Sequence, residues 1–139
     1  MIEIINRQRR NRINAKRWRE FTAAALRAIK RDQAKVAIVF ANDPIIRKLN
    51  RQFRRKDYAT DVLSFPNNPE PFERANHLGE VVISVQRAAA QAKVNGLTFA
   101  NEVEQLILHG LLHLCGYDHE TDNGEMNRLE LKLRKKLGI

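Results

Sequence analysis

Three of the four histidines fall in one short run, His109-Gly110-Leu111-Leu112-His113-Leu114-Cys115-Gly116-Tyr117-Asp118-His119. His109 and His113 are four apart, so a helix projects both from one face, a turn apart, where two ring nitrogens reach one metal ion at about 2.0–2.1 Å. Gly116 stands where a left-handed C-cap would end that helix, and the reversal returns His119 toward the pair as a third ligand. Three neutral imidazoles leave a divalent ion its full charge and a vacant coordination position, the pattern of catalytic rather than closed structural sites. Such a site lowers the pKa of water to about 7 and polarises a phosphoryl oxygen.

The same helix has its own packing stripe in Val103, Ile107, Leu111 and Leu114, while the histidine face carries Gln105, Leu112 and Gly116. The histidines are therefore not core filler. Cys115 lies about 200° around an ideal helix from His113 and points away, as a thiol packed with Leu111 or Leu114. His77 stands alone and reads as a surface or core residue. The offsets of His109, His113, Gly116 and His119 are those of the metzincin proteases, but Gly110 occupies the place of their general-base glutamate. The metal cage survives that change; peptide hydrolysis by that mechanism does not.

The elements that must position this run alternate along the chain. Residues 2–5 and 36–40 read as strands, the second apolar throughout and so buried on both faces. Between them Trp18, Phe21, Ala25 and Ile29 recur at helical spacing, which predicts a parallel strand-helix-strand crossover. Asp43 followed by Pro44 reads as an N-cap with proline at the first helical position, and Ile45 or Ile46, Leu49 and Phe53 continue a helix whose outer face is Arg47, Lys48, Arg51 and Arg54. Strands are expected at 61–65 and 80–84, separated by a segment with Pro66, Pro69 and Pro71 that reads as a lid or substrate-contacting loop. A helix from Val85 stops at Asn95-Gly96, Thr98 caps the next, and Asp122 with Glu125 resembles a capping box before the stripe Met126, Leu129, Leu133 and Leu137. The expected fold is α+β, one domain over residues 1–139, with a small mixed sheet of about four strands, about five helices and the three-histidine site at the end of a central helix.

Composition narrows the function. The chain has 139 residues, and 43% hydrophobic with 29% charged is an ordinary globular balance. Six glycines, none before residue 79, leave no phosphate-cradling loop, so no nucleotide cofactor is expected. Neither serine is flanked as a nucleophile elbow requires. One cysteine, no export signal and no apolar run of about 20 residues point to a cytoplasmic protein without a membrane. Residues 1–58 carry 17 Lys and Arg against 5 Asp and Glu, whereas residues 59–139 carry 8 against 11. So basic an N-terminal half favours a polyanionic partner, with nucleic acid first, since binding releases condensed counterions.

The histidine run resembles the signature of the YbeY-type endoribonucleases, the ribosomal RNA maturation factors. Phe53 to Pro66 is similar to a second block of that family, and Leu78-Gly79-Glu80-Val81-Val82-Ile83-Ser84 to a third. The resemblance implies a zinc ion on His109, His113 and His119, with other divalent transition metals suiting the same donors. It implies cleavage of single-stranded and ribosomal RNA, in 16S rRNA 3′ end processing and ribosome quality control, with the ribosomal small subunit as partner. It also implies a functional arginine at Arg54, with Arg55, where the family often has glycine, as rival; Ala59 replaces a frequent proline and Glu80 a frequent aspartate. The expected catalytic residues are Arg54, as a bidentate phosphate clamp, and His113, also a ligand. Asp118 is open to two roles, general base or partner orienting a histidine. The rival class is a non-catalytic RNA-binding ribosome-assembly factor with a structural metal; a metalloprotease is third.

Overall fold

A computed structural model describes residues 1–67 and 76–139. In chain order it contains β1 (Ile2–Asn6), α1 (Ala15–Ala28), β2 (Lys35–Ala41), α2 (Asp43–Arg54), β3 (Val62–Pro66), β4 (His77–Ser84), α3 (Val85–Asn95), α4 (Phe99–Leu114) and α5 (Glu125–Leu137). The strands form one mixed sheet in the order β1-β2-β4-β3. β1, β2 and β4 are parallel and β3 runs antiparallel on the β4 edge. The α+β expectation and the crossover through α1 hold.

Strand alternation divides the core. Val36, Ile38, Phe40, Val81 and Ile83 point to one face, where α1 and α4 cover them and α5 packs in turn on those two helices. Val39, Ala41, Leu63 and Val82 point to the other, against Ile46 of α2. β2 is thus buried on both faces, as its unbroken apolar run predicts. α4 is the central helix: it touches β3, β4, α1, α3 and α5. Its stripe of Val103, Ile107, Leu111 and Leu114 is buried, and so is Leu112, which packs into the core rather than sharing the histidine face.

Two glycines allow the close approaches that hold the sheet to the site. Gly79 has φ +131, and a Cβ there would lie 2.1 Å from the Phe65 carbonyl oxygen, so only glycine lets β3 and β4 pair at this point. The β2–β4 register also shifts here, Lys35 facing His77 and Val36 facing Gly79. Gly110 lies on the sheet side of α4, where a Cβ would stand 2.6 Å from Val81 Cγ1 and 3.2 Å from Ser64 Oγ. Helix and sheet therefore touch backbone to side chain, and Ser64 Oγ donates to the Gly110 carbonyl at 3.2 Å.

Some boundaries differ from the sequence reading. The cap of α2 is Asn42, whose Oδ1 accepts from Ile45 N–H at 3.0 Å. Asp43, one residue later, instead accepts from Ser84 Oγ at 2.6 Å and ties the start of α2 to the start of α3. β4 begins at His77 rather than residue 80, and His77 is exposed at its mouth. Asp61 precedes β3 and accepts from Val62 N–H. Phe53 is 60% exposed, so the apolar stripe of α2 ends before it. The expected lid falls mainly on residues 68–75, outside the described residues.

Candidate metal centre

α4 ends as its sequence predicts. Cys115 is the C-cap, Gly116 takes φ +99, Gly116 N–H donates to the His113 carbonyl at 3.0 Å and Tyr117 N–H to the Leu112 carbonyl at 3.1 Å. This pair of bonds is a Schellman motif, and it turns the chain back over the last turn of the helix. Asp118 then closes a second turn. Its Oδ1 accepts from Glu120 N–H at 3.0 Å, and its carbonyl accepts from Thr121 and Asp122 N–H.

The reversal returns His119 to the pair. Ring centroids lie 4.8 Å apart for His109 and His113, 5.3 Å for His109 and His119, and 5.2 Å for His113 and His119. One ring nitrogen from each falls within 4.8 Å of the other two, and this is the one such group of potential ligands among the described residues. Cys115 is not part of it and packs against the main core, where burial pushes its thiol pKa up.

Protonation favours ligation. His113 has its pKa lowered, first by burial and then by the neighbouring His109 and His119, so its ring stays neutral at neutral pH, the form that binds metals. His109 Nδ1 meets Glu130 Oε1 at 2.7 Å. Placing the proton on Nδ1 leaves Nε2 as a bare lone pair for an ion. Glu130 itself comes from α5 and its side chain is 8% exposed. Burial raises its pKa, but the bond to His109 and the Arg134 guanidinium outweigh this and hold it below the usual carboxylate range.

The cluster forms one wall of a cleft of about 680 Å³. Arg54, Lys56, Ser64 and Asp118 also line it, whereas Arg55 does not. Arg54 is the last residue of α2, and Arg55 turns away with φ +56. The turn that follows is pinned by Asn50 Nδ2, which donates to the Tyr58 carbonyl at 2.9 Å, and by Arg47, which grips Asp57 at 2.9 and 3.2 Å. The structure therefore brings together His109, His113, His119 and Arg54 about one opening. Asp118 lines it too, but the partner orienting a histidine is Glu130, which the sequence reading missed. Its signal was present: Glu130 interrupts the apolar stripe that includes Met126 and Leu133 on α5.

The donor set fits a metal: three imidazoles, one neutralised by burial and one with its second nitrogen engaged by a carboxylate. Comparisons with known proteins agree with this architecture. A curated relative from Geobacter metallireducens named Endoribonuclease YbeY is 37% identical over 141 residues, which covers 99% of this chain and 94% of the relative. Another of the same name from Solibacter usitatus is 48% identical over 108 residues, 78% of this chain and 69% of the relative. A solution structure of a protein from Thermotoga maritima superposes with a TM-score of 0.66 at 27% identity, covering 99% of this chain and 89% of that one. The family described as Endoribonuclease YbeY matches residues 3–138. The chain belongs to that family.

Proposed function

We propose that the cleft is the active site of a metal-dependent endoribonuclease that hydrolyses phosphodiester bonds of single-stranded RNA and acts in ribosomal RNA maturation. The observation that carries this reading is the convergence of three imidazoles within 4.8 Å beside an arginine that lines the same cleft. His109, through Nε2, with His113 and His119 would hold the ion, and zinc is the metal that such a donor set suits. Bound there, the ion supplies Lewis acidity toward phosphate and a means of acidifying water at neutral pH.

The chain's own groups do the rest. Glu130 keeps the proton of His109 on Nδ1, and burial keeps His113 unprotonated. Arg54 presents a planar guanidinium suited to two non-bridging phosphate oxygens, where charge builds as the bond to the leaving oxygen lengthens. The excess of cations in residues 1–58 draws the strand to this half of the molecule. Gly110 removes the metzincin route for a structural reason, because its Cα faces Val81 and no side chain fits there. No helix is long and apolar enough to cross a membrane among the described residues. The 3′ end of 16S rRNA and the small ribosomal subunit are the proposed substrate and setting.

The test pairs elemental analysis of the purified protein with cleavage of single-stranded and ribosomal RNA. Cleavage that is lost on chelation, restored by zinc and absent in His113→Ala supports the reading. RNA binding with no cleavage under any metal, and a His113→Ala variant that melts earlier yet binds RNA unchanged, would instead support an assembly factor with a structural ion.

A further inference from the structure

Six large apolar side chains are exposed among the described residues, and the three aromatic ones, Phe53 at 60%, Tyr58 at 53% and Tyr117 at 36%, all line the cleft of the histidine cluster. The other three, Met1, Val94 and Leu131, are aliphatic and lie elsewhere. Exposing an aromatic ring forgoes the largest burial gain a side chain offers, and three around one opening form a patch that water solvates poorly. Each is also carried on a fixed piece of backbone or packed against a neighbour. Phe53 meets Phe65 edge to face, with ring centroids 5.5 Å apart. Tyr58 sits on the turn pinned by Asn50, and Tyr117 is the residue whose N–H completes the Schellman motif after α4. Arg54 and Lys56 stand between Phe53 and Tyr58 in sequence and line the same cleft.

Rings alternating with cations are what an unpaired nucleic acid strand recognises. Bases of a single strand present π faces that a duplex hides in its stack, while the phosphates track the cations. We propose that Phe53, Tyr58 and Tyr117 are stacking platforms for unpaired bases and that they, rather than the histidine cluster, make the cleft selective for single strands. This rests on the RNA reading of the cleft. Arg54 and Lys56 then hold the backbone between bases seated on Phe53 and Tyr58, while Tyr117 holds a base on the side of His119.

The test reads binding without turnover. Metal-loaded protein is titrated into a short fluorescent strand of 2′-O-methyl adenylates, into a matched strand bearing abasic sites, and into a duplex, each strand being shown intact by gel after the titration. Phe53→Leu, Tyr58→Leu and Tyr117→Leu keep apolar surface and remove the π face; Tyr58→Trp and Tyr117→Trp restore it. Each leucine variant is expected to weaken binding of the base-bearing strand roughly 5- to 100-fold and to leave the abasic strand unaffected, with the tryptophan variants near wild type. Arg54→Ala is expected to flatten the dependence of log K on log salt by about 0.7, a slope the leucine variants retain. Leucine variants that bind as wild type, or equal affinity for abasic and base-bearing strands, overturn the proposal and point to an apolar protein-docking patch. If stacking-dependent binding persists but no RNA is cut by the metal-loaded wild type, the platforms stand and the nuclease reading fails.

Discussion

His109 and Glu130 meet at 2.7 Å although they lie 21 positions apart in sequence, on two different helices. The carboxylate is buried and its other oxygen is taken by Arg134, so it is held on both sides and cannot swing from the imidazole. This makes Glu130 the group that fixes which nitrogen of His109 is free. Replacing such a partner typically weakens metal affinity 10- to 100-fold. Glu130→Ala is therefore expected to lower zinc affinity by that range in a competitive chelator titration, with ring tautomers followed by imidazole NMR. Glu130→Gln, which retains an acceptor, should recover part of it. Unchanged affinity in both variants would show that His109 is oriented by packing alone.

Why the histidines were legible and Glu130 was not is a matter of range. His109, His113, Gly116 and His119 are related by helix pitch and one left-handed residue, all local properties that spacing encodes. Glu130 reaches the site through the packing of α5 against α4; its place on the stripe of Met126 and Leu133 marks it as a buried charge, but no local pattern says which side chain it meets. Phe53 follows for a related reason: its spacing from Ile45 and Leu49 puts it on the apolar stripe, but that it meets Phe65 on the edge strand β3 and stays mostly exposed is a tertiary fact. The α2 cap was shifted by one because Asn42 and Asp43 are both good capping residues, and the choice between them was made by Ser84, which claims the Asp43 carboxylate.

Arg54 and Arg55 are adjacent, yet the left-handed turn at Arg55 separates their roles. Arg54→Ala is expected to reduce kcat by about 10²–10³, the effect of removing one preorganised donor to developing charge. Arg55→Gly should leave cleavage intact and raise stability by up to about 1 kcal/mol, because φ +56 costs a side-chain-bearing residue that much more than glycine. Single-turnover cleavage and urea unfolding check the two expectations. The reverse pattern would assign the phosphate clamp to Arg55.

At Gly110 two effects of known size compete. Gly110→Ala would gain about 1 kcal/mol in helix propensity. Against that, the new Cβ would sit 2.6 Å from Val81 Cγ1, on a β-branched side chain that is fully buried and has no free rotamer to adopt. Overpacking of this kind costs about 1–3 kcal/mol, so the variant should end up to about 2 kcal/mol less stable than wild type, and no more stable. Gly110→Ala with Val81→Ala should be less destabilised than the sum of the single changes by more than about 0.5 kcal/mol. Simple additivity in urea unfolding would show that α4 shifts away from the sheet instead.

The last prediction concerns the start of α5, the helix that carries Glu130 to the site. Asp122 accepts from Met126 N–H and from Gly124 N–H, both at 2.9 Å. Those two bonds hold its pKa below the ordinary carboxylate value, the Met126 bond most of all. The native carboxylate thus takes up a proton less readily than it does in the unfolded chain. Its stabilising contribution is complete above the unfolded pKa, near 3.9, and is lost as pH falls through the lowered native value. Asp122→Ala should therefore lower Tm at pH 7, and the difference from wild type should shrink as the medium is acidified past that range, a comparison that thermal unfolding at several pH values makes directly. A difference that persists undiminished in acid would mean that the side chain anchors α5 by shape rather than by its ionised hydrogen bonds. In that case a neutral isostere, Asp122→Asn, should match wild type at every pH.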